Sequence, residues 1–276
     1  MERFLSNLHT HSTFSDGANS MEEIVLCAIE RQFVSLGFSD HSCTDNGSVY
    51  CMQKGDAARY VEEVQRLRQK YASAIEIYCG IEWDYFTFDE EYKNVQFDYI
   101  IGGVHYFRTA QGNFYDVDYT VDILNTAMSK NSMNVKDIVK LYYDLVGEMV
   151  VSRKPDIVAH IDLITKFNQD MLMFDEGEGW YMDVVRNVLA QVKKTGSIVE
   201  VNTGAIARGY KDTPYPSSYI MEQMLLCDIP ITISSDSHHM DTLDFYFDES
   251  LEYARNIGYK SVKILQNGKF RNTCII

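Results

Sequence analysis

Short apolar runs alternate along this chain with longer segments in which apolar residues recur every third or fourth position. The runs read as buried strands and the longer segments as amphipathic helices. Strands are predicted at Phe4–Leu8, Val34–Phe38, Ile75–Ile81, Phe97–Val104, Ile157–Ala159, Ser197–Val201 and Ile229–Ser234. Ser20-Met21-Glu22-Glu23 is a capping box, and it opens a helix through Arg31. Further helices are predicted over Ala57–Tyr71, Asn134–Val151, Trp180–Lys194, Ser217–Cys227 and Leu243–Ile257. The tail, Val262–Ile275, turns at Asn267-Gly268 and reads as a β-hairpin. Tyr106–Asn134 shows no clear period and reads as a long connection, a lid or specificity loop.

Strands that alternate with helices imply a parallel sheet and an α/β fold. The histidines decide its shape. His9, His11, His41, His105, His160, His238 and His239 each follow the C-terminal end of an apolar run, most of them with a carboxylate close by. An open sheet would gather such residues at one switch point. Here they come from all round the sheet, which predicts a closed barrel of seven strands in a single domain over residues 1–276, the C-terminal hairpin included.

His9 and His11 lie two apart on extended chain, so both imidazoles face one side. Asp16 follows after enough turn to bring its carboxylate back, and Gly17 permits the tight backbone. With His41, Glu82, His105, His160, Asp236 and His238 this makes nine candidate ligands, too many for one ion. Zinc, manganese and iron all accept imidazole and carboxylate, and a carboxylate such as Glu82 can bridge two ions. His239 is adjacent to His238 and faces the other way on extended chain, so it reads as structural or supporting.

Composition narrows the partners. The 276 residues carry a net charge of −15, which argues against nucleic acid. A phosphorylated small molecule is still compatible, because bound metals make a site locally positive. Six cysteines without paired spacing predict reduced thiols in a cytoplasmic protein. No apolar stretch is long enough to span a membrane, and none reads as a signal peptide. A monomer or small homo-oligomer is expected.

His9-Thr10-His11-Ser12, Ser15-Asp16-Gly17, Asp40-His41, Gly80-Ile81-Glu82, His105, His160 and Ser235-Asp236-Ser237-His238 resemble, in order and spacing, the motifs of the polymerase-and-histidinol-phosphatase (PHP) family. Length, Gly102–Tyr106 and Glu200-Val201-Asn202-Thr203-Gly204 are most similar to its stand-alone histidinol-phosphate phosphatases. The resemblance implies a distorted TIM-like (β/α)7 barrel with three divalent ions (Zn, Mn or Fe). It implies that His9, His11, Glu82 and Asp236 hold one ion, that Glu82, His105 and His160 hold the second, and that Asp16, His41 and His238 hold the third. The family commonly has a histidine where Asp16 stands. The implied reaction is hydrolysis of L-histidinol phosphate in histidine biosynthesis by hydroxide from a water shared between two ions, without a phospho-enzyme.

Arg208, in a loop flanked by Gly204 and Gly209, is the candidate phosphate grip, since its fork suits bidentate contacts. Lys166 is a second cation for the same task, and His41 is placed to touch substrate as well as metal. Asp236 and His238 are candidates to carry the leaving-group proton. Glu200 is a candidate partner for the substrate's amine or imidazole, as are Asp84, Tyr85, Phe86 and aromatics of the 106–119 segment. Competing readings are a family phosphoesterase with another substrate, a proofreading-type nuclease and a metal-binding regulator. An amidohydrolase type would want a bridging lysine at a strand end, and Lys166 lies past its strand.

Overall fold

The apolar runs become neighbours in one parallel sheet. The computed structural model describes residues 5–44 and 48–275, so Phe4 of the first predicted strand lies outside the described residues. In chain order the strands are β1 (Leu5–Asn7), β2 (Phe33–Phe38), β3 (Glu76–Asp84), β4 (Tyr99–Gly103), β5 (Tyr106–Arg108), β6 (Phe114–Asp116), β7 (Ile157–Val158), β8 (Ile198–Asn202), β9 (Ile231–Ser234), β10 (Ser261–Gln266) and β11 (Lys269–Cys274). The helices are α1 (Met21–Glu30), α2 (Ala57–Lys70), α3 (Val121–Asn131), α4 (Val135–Arg153), α5 (Gly179–Thr195), α6 (Gly204–Ala207), α7 (Ser218–Leu226) and α8 (Phe247–Ile257).

Seven strands pair in the order β1-β2-β3-β4-β7-β8-β9, every pair parallel. The seam between β1 and β9 closes just past the strands, where Thr10 bridges Ser237. There the His11 N–H donates to Ser237 O at 2.8 Å, and the Ser237 N–H donates to His9 O at 3.2 Å. The result is the nearly closed (β/α)7 barrel that the sequence predicts.

Local chemistry places the helices. Ser20 and Glu23 cap α1 reciprocally, and Asn134 with Asp137 does the same for α4. On α2 the buried residues Ala57, Tyr60, Val64 and Leu67 form one stripe against the sheet. A smaller cluster (Leu8, Tyr78, Tyr99, Ile101, Ile157, Ala159, Ile198 and Leu265) fills the barrel interior below the histidines. Tyr99 spans that floor: its hydroxyl donates to Leu8 O, and Gly37 and Gly80 leave room for the phenol. The C-terminal hairpin turns at Asn267 and Gly268, with φ of 52° and 68° as its tight turn requires, and packs Leu265 and Phe270 against this floor.

Two predictions are corrected. Tyr106–Asn134 is not plain loop: it folds as the β5–β6 hairpin followed by α3. The last helix is not continuous from Leu243, because Tyr246 adopts φ 62°, and α8 begins at Phe247 after a 3-10 turn at Met240–Thr242. Among the described residues, no helix is long and apolar enough to cross a membrane.

Candidate metal centre

Six of the seven barrel strands, all but β8, deliver candidate ligands to the same end of the barrel. His9 and His11 leave β1 on extended chain, and both are fully buried. The turn after them brings Asp16 back. Ser12 O accepts the N–H groups of Ser15 and Gly17, and a Cβ at Gly17 would lie 2.4 Å from His11 O. Asp40, buried at the end of β2, pins the same turn by accepting from Ser12 N at 2.8 Å and Ser15 Oγ at 2.7 Å. His41 bridges to Glu82 of β3, His105 follows β4, His160 follows β7, and Asp236 and His238 follow β9.

Glu82 is the hub. Its Oε2 lies 2.8 Å from His41 Nδ1, 3.2 Å from His9 Nε2 and 3.6 Å from His11 Nε2. Its Oε1 lies 3.0 Å from His160 Nε2 and 3.3 Å from His105 Nε2. Asp236 Oδ1 lies 3.1 Å from His11 Nε2 and 3.6 Å from His9 Nε2. Asp16 lies 3.2 Å from His238 Nε2 and 3.8 Å from His11 Nδ1 and His41 Nε2. All nine candidate ligands therefore meet in one place. Eight of them gather within 4.8 Å as three sets (His9, His11 and Asp236; His41, Glu82 and His105; and His11, Asp16, His41 and His238), and His160 stands beside them at Glu82 Oε1. These sets differ from those the resemblance implies: Glu82 is not in the first and His160 is not in the second. His41 turns Nδ1 to Glu82 and Nε2 to Asp16, and His11 turns Nδ1 to Asp16, so each imidazole touches two sets.

The donor set fits divalent ions. His9 Nε2, His11 Nδ1 and Glu82 Oε2 are buried without a hydrogen-bond partner. Burying such atoms costs free energy unless something fills them, and a cation among imidazoles and carboxylates does so. The carboxylates are held as anions, the form such ions require. Burial opposes ionisation of Glu82, but His9, His41 and His105 hold its carboxyl well below the usual range. Asp236 is likewise held low, by Arg208 and His9 against the cost of burial. Burial, together with His238 and His41, pushes His11 down to about 3, which keeps it neutral and able to ligate.

Carboxylates behind the ligands orient them. Glu200 is fully buried: it accepts from His9 Nδ1 at 2.9 Å, the His160 N–H at 2.8 Å, Asn202 Nδ2 at 2.7 Å and Ser234 Oγ at 2.5 Å. Its expected contact with substrate is therefore corrected, because both oxygens are occupied inside the barrel wall. Asp84 accepts from His105 Nδ1 at 3.1 Å and the His105 N–H at 3.0 Å. That role is missed in the sequence, although Asp84 lies two residues from Glu82 on one strand face and its parity marks it. His239 is turned away from the ligands and caps the 3-10 turn, its Nδ1 accepting from the Asp241 N–H at 3.2 Å.

Above the ligands opens a cleft of about 250 Å³. Arg208 borders it, with its guanidinium 3.0 Å from Asp236 Oδ2 and 3.3 Å from His238 Nδ1. Lys166 also borders it, but its Nζ is engaged by Asp118 through the carbonyl at 2.6 Å and Oδ2 at 3.1 Å. Of these two cations, Arg208 is the one beside the ligands. Asp84 and Tyr106 line the cleft; Tyr85 and Phe86 do not.

A nearly closed seven-stranded barrel whose strand ends carry a multidentate histidine and carboxylate cluster defines a metal-dependent hydrolase class. The PHP domain model matches residues 7–204, and the chain belongs to that family. It is 25% identical over 98% of its length, and 92% of the relative's, to a Schizosaccharomyces pombe protein named "Probable histidinol-phosphatase". A Deinococcus radiodurans protein of the same name is 21% identical over 94% of this chain and 95% of its own. Among solved structures, a Lactococcus lactis histidinol phosphate phosphatase complexed with zinc, L-histidinol and phosphate superposes with a TM-score of 0.73. That match covers 96% of this chain and 98% of the other at 16% identity, and it speaks to the fold.

Proposed function

We propose that this chain is a histidinol-phosphatase, a metal-dependent phosphomonoesterase that converts L-histidinol phosphate to L-histidinol and phosphate. The observation that carries the reading is the convergence of five imidazoles on Glu82, with His238, Asp16 and Asp236 beside them and Arg208 at the rim of a small cleft. Family membership and the names of full-length relatives support it.

His9, His11, Glu82 and Asp236 would hold one divalent ion, Glu82, His105 and His160 a second, and Asp16, His41 and His238 a third; zinc, manganese and iron all suit these donors. Bound there, such ions supply Lewis acidity and a water acidified toward neutral pH. The chain's own residues do the rest. Arg208 takes phosphate oxygens with the guanidinium edge not spent on Asp236, and its fixed charge offsets what develops in the transition state. Asp236 and His238 stand at the same wall and are the groups that can carry a proton to the leaving alkoxide. Tyrosines and acidic residues surround the remaining cleft and leave room for a small ester, not a polynucleotide. No side chain serves as nucleophile, so the reaction runs without a phospho-enzyme.

The test is phosphate release from L-histidinol phosphate beside p-nitrophenyl phosphate and nucleoside monophosphates, using protein of assayed metal content. A strong preference for histidinol phosphate is expected. Comparable slow rates on every ester would leave a family phosphoesterase with another substrate.

A further inference from the structure

We propose that Asp116, on the hairpin that grows out of His105, is the anionic subsite that receives the substrate's ammonium group and so sets specificity. The inference rests on the histidinol-phosphatase reading and concerns the end of the substrate away from phosphorus.

Three observations carry it. The hairpin is tied to the metal centre: the Val117 N–H donates to His105 O at 2.8 Å, and the next pair along the ladder is Tyr106 opposite Asp116. Directly paired antiparallel residues project to one face, so Asp116 and the Tyr106 ring share the cleft side. Second, Asp116 is uncompensated. Asp118, two residues on, is spent on Lys166 at 3.1 Å, whereas Asp116 makes no ion pair or side-chain hydrogen bond to another residue among the described residues. Burial and the neighbouring Asp118 raise its carboxyl above the usual range, as for a carboxylate awaiting a cation. Third, the surroundings suit a cation with an aromatic ring. Tyr50, Tyr106 and Tyr119 line the same cleft, and the Tyr50 and Tyr119 rings lie 5.8 Å apart. Tyrosine faces attract ammonium and imidazolium groups. The cleft thus has an arginine beside the ligands and a free carboxylate among tyrosines on the hairpin, a charge pattern complementary to an aminoalkyl phosphate.

The test compares metal-loaded wild type and Asp116→Asn on L-histidinol phosphate and on 3-(imidazol-4-yl)propyl phosphate, which lacks only the amine. Wild type is expected to favour the amine-bearing ester by about tenfold or more in kcat/KM, the worth of one charge-assisted bond. Asp116→Asn is expected to lose that preference, chiefly through KM. A preference that persists in a folded variant of full metal content overturns the subsite. If Asp116→Asn fails to fold, Tyr119→Ala takes its place, since Tyr119 is 56% exposed, and it is expected to weaken the same preference. If wild type hydrolyses neither imidazole ester, the histidinol reading falls. The subsite is then judged on 2-aminoethyl phosphate against ethyl phosphate, where equal rates overturn it and an Asp116-dependent preference sustains it.

Discussion

His9 Nδ1 donates to Glu200 Oε2 across 2.9 Å, with both side chains sealed from solvent. That bond fixes the tautomer and leaves His9 Nε2 free to face Glu82 and Asp236. An imidazole oriented from behind by a carboxylate is a stronger and better-aimed ligand. Glu200→Gln is therefore expected to weaken metal binding by ~10–100-fold, with activity largely restored at high free metal. Metal content after dialysis against graded chelator reads this directly. Normal metal retention with lost activity would mean that Glu200 acts on the reaction and not on the ligand.

Arg208→Ala should raise KM for the ester and lower turnover together, each by about tenfold or more, since a charge-assisted contact to phosphate is lost. Metal content should hold, because Asp236 loses only a competing cation. Arg208→Lys should recover little, as an ammonium cannot reproduce the fork that reaches Asp236 and His238. Steady-state kinetics beside metal analysis decides it; loss of metal in the alanine variant would assign Arg208 a structural part.

The ligand histidines predict an inverted pH response on metal removal. Burial lowers the basicity of His9, His41 and His105, but Glu200, Glu82 and their neighbours outweigh it and hold all three above the ordinary value. In metal-free protein a raised histidine adds stability that is full below about pH 6.5 and is lost as pH rises through the raised values. His11 has the opposite sign and costs stability only as pH falls below about 6.5. Chelated protein should therefore show a falling Tm from about pH 6.5 upward. Metal-loaded protein should not, since ligation requires neutral imidazole and strengthens with pH. Calorimetric scans with and without chelator check this, and a Tm of chelated protein that climbs over that range would contradict it.

Gly80→Ala tests the barrel floor. A Cβ there would stand 2.2 Å from the Tyr99 ring, whose hydroxyl is tied to Leu8 O. The ring cannot retreat without breaking a buried hydrogen bond, so a loss on the order of 1–3 kcal/mol is expected in denaturant melts. Tyr99→Phe combined with Gly80→Ala should recover part of it.

The barrel and the clustering of its histidines and carboxylates were legible because a strand end is a position with fixed parity. His9 and His11 two apart, and histidines after successive apolar runs, leave few arrangements other than one shared mouth. The C-terminal hairpin was legible because Asn267-Gly268 suits only one kind of turn. The β5–β6 hairpin was hidden because its strands are three residues each, too short for alternation to show. Tyr246 broke the last helix without a glycine or proline to signal it. Glu200 was noticed but aimed wrongly: an acid on a strand ending at the site suggests substrate contact, and only its four donors reveal that it faces inward. Which imidazole nitrogen faces which carboxylate depends on ring rotation, which sequence does not encode.

The seam of the barrel has a consequence for biogenesis. Asn7 and Ser235, bonded side chain to side chain across it, are 228 residues apart, and the ligands beside them come from the first and last barrel strands. A chain emerging from the ribosome carries His9 and His11 early but cannot complete their cluster until Asp236 and His238 appear. The cluster is therefore a property of the finished barrel: a chain cut short of β9 would lack Asp236 and His238 and leave the β1 edge of the sheet unpaired.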